Sequence, residues 1–204
     1  MSELPIRRRV NRLTVRTQAR LEAGAGDRWI PTLVTIGLAA ALVEASLARL
    51  RSLGAGIDLA GYSQALWLIS QGKMPKASLF GSDVHLLELH WAFIMYPLAL
   101  LARFFAPARV LVITQALALA SAVVPLWRLA RSVANLRVGA ATCLVVAYAL
   151  HPATHTLAVE DFHPESLAVP ALIGMAYFGA LKRWVPYWLC IAVALACRAD
   201  LGLV

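Results

Sequence analysis

The chain has 204 residues, of which 60% are hydrophobic and only 15% charged, with a formal net charge of +8 and a mean hydropathy of +0.70. A soluble domain is roughly half apolar and about 25% charged, so the composition excludes an ordinary soluble globular protein and implies a polytopic membrane protein. Seven of the 19 basic residues lie in the first 28 positions without interleaved aromatics, which argues against a general nucleic-acid binder.

That basic segment, residues 1–28, contains Arg7, Arg8, Arg9, Arg12, Arg16, Arg20 and Arg28. It reads as a cytoplasmic tail and a topogenic signal facing the anionic inner leaflet. The transmembrane domain then covers 29–204. Its first span is 29–50, opened by Trp29 and Pro31 and followed by Arg51. The apolar run is longer than a signal-peptide core, so it is expected to be an uncleaved anchor. The protein is therefore expected in the cell membrane, multi-pass, with its N-terminus cytoplasmic.

Residues 51–107 form an outer loop with interfacial helices. Gly54, Gly56, Gly61, Gly72 and Pro75 break its first part. Within it, Leu59 to Ser70 reads as a short helix with Asp58 at its N-cap. Asp58 also carries a second reading, as a general base toward an incoming hydroxyl. The apolar run Trp91–Ala102 is too short to cross and contains Pro97; a span needs about 20 residues. His85, Glu88 and His90 resemble a metal box, but helical spacing turns His90 away from the other two. Interfacial anchoring is the better reading there.

The positive-inside rule decides whether 85–109 crosses. If it does, the loops with Arg128, Arg131, Arg137, Lys182 and Arg183 face outward; if it does not, they join the N-terminal tail inside. The second topology is preferred. The remaining spans are then about 108–128, 138–159, 164–181 and 184–200. The fold class is an all-α bundle of about five transmembrane spans with short interfacial helices. Asp58, His85, Glu88, His90, the Glu160–Glu165 stretch, Arg198 and Asp200 all fall on the extracytoplasmic side.

His151 and His155 share a helix face at the outer end of the third span, with Pro152 loosening the backbone between them. With Glu160, Asp161 and His163 they offer ligands for a divalent cation, although imidazoles at an interface commonly hydrogen-bond and face water. No dedicated metal site is assigned, and no organic cofactor is implied. Cys143, Cys190 and Cys197 sit inside apolar runs and read as small buried side chains. Phosphate-binding glycine loops, nucleophile elbows and C-x-x-C pairs are absent from the sequence.

Five blocks in order, 56–73, 89–105, 115–131, 160–170 and 197–203, resemble a bacterial membrane family, domain of unknown function 2079 (DUF2079). The most specific is Asp161-Phe162-His163-Pro164-Glu165. That family in turn resembles the GT-C glycosyltransferases, polytopic enzymes that use polyprenyl-phosphate sugars and carry a catalytic acid in a first outer loop. The resemblance implies Asp58 as the catalytic acid, and Asp161, His163, Glu165, His90, Lys73 and Arg198 as a substrate-binding set. Asp161, His163 and Glu165 would shape the acceptor pocket or hold a cation; Lys73, Lys76, Arg103 or Arg198 would neutralise a departing lipid phosphate. The implied partners are the bilayer and a polyprenyl-phosphate-linked sugar. Two departures stand out. Family members end this region with a Lys-Glu-Asp run where this chain has Arg198-Ala199-Asp200, and they are longer, so the chain is expected to be an N-terminal portion, which alone would be inactive. A transporter or channel subunit and a non-catalytic membrane scaffold are the alternatives.

Overall fold

The computed structural model describes residues 24, 26–54, 56–80, 84–85 and 91–203. The basic tail expected over 1–28 therefore lies outside the described residues except for its last positions. Glu88 and His90 also lie outside them.

Among the described residues, three apolar helical stretches have span length. The first is α1, Gly26–Arg51, of 26 residues, about 39 Å at 1.5 Å per residue and longer than the ~30 Å bilayer core. Two short elements lie between it and the second: α2, Ile57–Ser70, and α3, Met95–Leu101. A two-residue antiparallel pair, β1 (Lys76–Ala77) with β2 (Val84–His85), is the sole strand pairing among the described residues. The second long stretch, Pro107–Val133, is built from α4 (Pro107–Ser121), α5 (Val123–Arg128) and a π-turn over Leu129–Val133. The break at Ala122 follows from Pro125, which offers no amide to the Ser121 carbonyl one turn back. The third, Val138–Val159, is α6 (Val138–Leu150) and α7 (Pro152–Val159). Pro152 disfavours helical backbone at His151, which is extended at φ −66° and ψ 129°. The chain ends in α8, Val169–Ala180, and α9, Trp184–Cys197, of 12 and 14 residues.

The bundle has two chemically distinct ends. At one, Arg131 forks onto Asp27, with Nε 2.7 Å from Oδ1, and donates through a third nitrogen to the Leu136 carbonyl. That pair ties the start of α1 to the π-turn. At the other end, Ser46, buried in α1, donates to the Ala158 carbonyl of α7 at 2.8 Å. Arg51 and Arg109 line a common groove there, so the chain between them leaves and re-enters the bundle at the same end. α8 packs along α5 toward the π-turn, and α9 returns antiparallel to it. Gly174 and Gly179 of α8 let Cys190 and Tyr187 of α9 approach closely, the small-residue packing that helix pairs use in lipid.

The apolar core divides the same way. Leu38, Leu42, Leu119, Val123, Trp127 and Val145 fill the middle and the Asp27 end. Leu59, Tyr62, Leu66, Met95, Leu111 and Phe162 form a second cluster that seats α2 on the opposite end.

Gln115, fully buried in α4, fastens that end. Its Nε2 donates to the carbonyls of Leu157 (2.5 Å) and Asp161 (2.8 Å), and its Oε1 accepts from the His163 amide at 2.8 Å. Replacing Gln115 with Leu strands these three backbone groups in an apolar setting. Gln115→Leu is expected to cost roughly 2–4 kcal/mol, read as a lowered melting temperature of the detergent-solubilised protein; an unchanged melt would remove this clamp from the account.

Candidate functional site at the polar end of the bundle

The strap Glu160–His163 joins α7 to a 3₁₀ turn, Pro164–Ala168. Gln115 fixes its backbone, and Phe162 anchors it from below. The Phe162 ring is fully buried and meets Tyr62 of α2 edge to face, with ring centroids 5.2 Å apart. This anchoring aims the Asp161 carboxylate at the start of α2. The amides of Asp58 and Leu59 donate to Asp161 Oδ2 (3.2 Å) and Oδ1 (2.7 Å), and the Phe162 amide also donates to Oδ1 at 2.8 Å.

Asp161 is thus the N-cap of α2, supplied from about a hundred positions away in sequence. This corrects the expectation that Asp58 caps the helix. The helix begins at Ile57, its N-cap position is Gly56, and Asp58 sits inside the first turn. Gly56 has no side chain with which to cap locally, and a Cβ there would collide with the Asp161 carboxylate. The helix dipole also favours a carboxylate at that place. The sequence did carry a signal: a helix start preceded by glycine rather than Ser, Thr, Asp or Asn has to find its cap elsewhere.

Relieved of capping, the Asp58 side chain is half-buried and makes no hydrogen bond or ion pair among the described residues. Tyr62 lies one turn further along α2, and its phenol is pushed up by burial and then by the charges of Glu165 and Asp58. Asp58, Tyr62, Glu165 and Arg198 therefore lie within electrostatic reach of one another. Arg198 reaches Glu165 Oε1 (3.2 Å) and Asp200 Oδ1 (2.9 Å). His163 Nδ1 is 3.9 Å from Glu165 Oε1, too far for a hydrogen bond. Tyr62 Oη and Ser166 Oγ are buried with no hydrogen-bond partner among the described residues, each at a cost of about 1–3 kcal/mol.

Not every residue singled out from the sequence comes to this place. Lys73 follows the far end of α2, about 20 Å along the helix from Asp58, with its ammonium over the Trp67 ring at 5.8 Å. Arg103 is also at that far end, donating to the Ser70 carbonyl. His90 lies outside the described residues. His151 accepts from the Ala153 amide through Nδ1 and so caps α7. His155 Nε2 contacts the Ala149 carbonyl at 2.7 Å. Among the described residues no three His, Cys, Asp or Glu side chains converge on a common point. The space between Asp161 and α1 is about 10 Å³, room for one water, so a substrate at this end would lie over the outer face rather than under the strap.

Residues 49–204 match the model of a family described as "Predicted membrane protein (DUF2079)". The chain belongs to that family. DUF2079 membership and the long apolar helices make it a multi-pass membrane protein. No curated protein and no solved structure matches the chain. Within the DUF2079 match, the strap, α2 and the Arg198–Asp200 turn are the segments that assemble the polar end.

The cap makes a measurable demand. Asp161→Ala is expected to destabilise by about 1–2 kcal/mol and to speed hydrogen exchange at the Asp58 and Leu59 amides, whereas Asp161→Asn, which keeps one acceptor oxygen, should do so less. Exchange at these amides equal to wild type in the alanine variant would show that the cap does not hold α2.

Proposed function

We propose that this protein is a membrane-embedded transferase of the GT-C type, acting on a polyprenyl-phosphate-linked sugar at its polar end. The observation that carries the reading is the state of Asp58: a half-buried carboxylate without a side-chain partner among the described residues, on the first turn of a non-crossing helix. Its capping work is done by Asp161. Such a carboxylate is free to accept a proton.

In this reading the acceptor hydroxyl attacks the anomeric carbon of the sugar. A new C–O bond forms there, the bond from that carbon to the phosphate oxygen breaks, and Asp58 takes the hydroxyl proton. The lipid phosphate leaves as an anion and needs nearby positive charge. Glu165, His163 and the Arg198–Asp200 pair would border the acceptor. Arg198 is held by two carboxylates, which suits it to positioning more than to neutralising a phosphate. Sidedness also supports the reading. Arg28, Arg128, Arg131 and Arg137 lie toward the Asp27 end, so the positive-inside rule assigns that end to the cytoplasm and the Asp58 end to the opposite face. On this view α8 and α9, though short, complete five crossings.

The test uses membranes carrying the full-length protein and a labelled polyprenyl-phosphate sugar. Asp58→Asn should lower transfer by roughly 10²–10⁴-fold with the melting temperature unchanged. Equal turnover by wild type and variant would take Asp58 out of the mechanism.

A further inference from the structure

A second feature of the polar end lies away from Asp58. Between the end of α1, the turn after α3 and the start of α4 runs a groove of about 700 Å³, within the ~300–1,000 Å³ range of ligand-sized cavities. Its walls are apolar: Leu47, Leu50, Phe105, Val110, Ile113 and Leu117. The hydroxyl in the lining, Thr114, donates back to the Val110 carbonyl at 2.7 Å and presents nothing to a ligand. Polarity is confined to the mouth, where Arg51 and Arg109 stand.

Arg109 is the residue that needs a reason. It lies in the first turn of α4, where the helix dipole disfavours a cation. No side chain caps that turn, and Arg109 has no ion pair among the described residues. Among the described residues Arg51 meets the exposed Glu44, at 3.3 Å. Two guanidiniums, one carboxylate and an uncapped helix start leave the mouth with excess positive charge. From Arg109 the groove runs past Ile113 to Leu117, about 12 Å down α4. It lies open along one side, with Leu101, Phe105 and Leu117 44%, 64% and 48% exposed.

We infer that this groove is a binding site for an anionic phospholipid of the surrounding bilayer. The phosphate sits between Arg51 and Arg109, and one acyl chain lies along Leu47, Ile113 and Leu117. Charge complementarity selects the headgroup, and the apolar trough selects the tail. The open side lets the lipid enter laterally from the membrane, so the occupant is drawn from the most abundant anionic species there. This site does not depend on the transfer reading.

The test is native mass spectrometry of the full-length protein titrated with phosphatidylglycerol or phosphatidylcholine of equal chain length. Wild type should retain phosphatidylglycerol preferentially. Arg51→Gln with Arg109→Gln should cut that retention roughly thirtyfold, from the loss of two arginines' attraction for anionic lipid, and leave phosphatidylcholine unchanged. Ile113→Trp, which fills the trough and spares both arginines, should lower retention as well. Equal retention of the two lipids by wild type, or no change in the double variant at an unchanged melting temperature, would overturn the site. Displacement of phosphatidylglycerol by an equal concentration of polyprenyl phosphate would overturn the assignment to a bilayer phospholipid and give the groove to an isoprenoid carrier.

Discussion

The carboxylate of Asp161 joins the membrane bundle to the helix that lies across its end. A helix start leaves several amides without an intrahelical partner, and each needs one from elsewhere. α2 has a glycine, Gly56, at its N-cap position and cannot cap itself. The strap between α7 and the following 3₁₀ turn supplies the cap, and Gln115 supplies the strap's own hydrogen bonds. Phe162 then drives the same strap into the cluster that holds Tyr62 and Leu66. Three kinds of interaction, a charge-assisted cap, a buried amide and an aromatic contact, thus converge on three consecutive residues, Asp161 to His163.

That convergence explains why the acids at this end do different things although they are chemically alike. Asp161 has three backbone donors and no freedom. Glu165 is engaged by Arg198. Asp58 has neither donors nor a cation at its carboxylate among the described residues. Among the described residues, Asp58 is thus a half-buried acid left unengaged beside neighbours that are engaged. The Tyr62 hydroxyl beside it is buried with no hydrogen-bond partner among the described residues.

The sequence made the bundle legible and the site only partly so. Apolar runs of membrane length do not need a partner to be recognised, so the runs 29–50, 108–128 and 138–159 coincide with long helices in the structure. The shortness of Trp91–Ala102 is likewise a local property, and only the seven-residue α3 forms within it. Asp58 was different. Sequence spacing measures only local distance, so it points to Asp58, the nearest suitable side chain, as the cap. The real cap comes from Asp161, and the pairing depends on how α4, α7 and α2 meet in space. The same limit applies to Lys73, which is near Asp58 in sequence but is carried to the other end of a straight helix. His151 shows the converse: the proline after it was visible as a break, but its use as the cap of α7 was not.

The distribution of cations adds a last constraint. A phosphate at this end of the bundle must compete with whatever already holds each positive charge. Arg198 is shared by Glu165 and Asp200, Arg103 spends a donor on the end of α2, and Lys73 lies on the Trp67 ring. Recruiting any of them means breaking an existing contact. Arg109 has no such contact among the described residues, and Arg51 has one that is exposed to solvent and therefore weak. Of these cations, the two at the mouth of the α1–α4 groove are therefore the least committed. That mouth is separate from the acid-rich face around Asp58. At the Asp58 face a phosphate has to be met by a cation released from one of these contacts, whereas at the groove mouth no buried contact has to be broken.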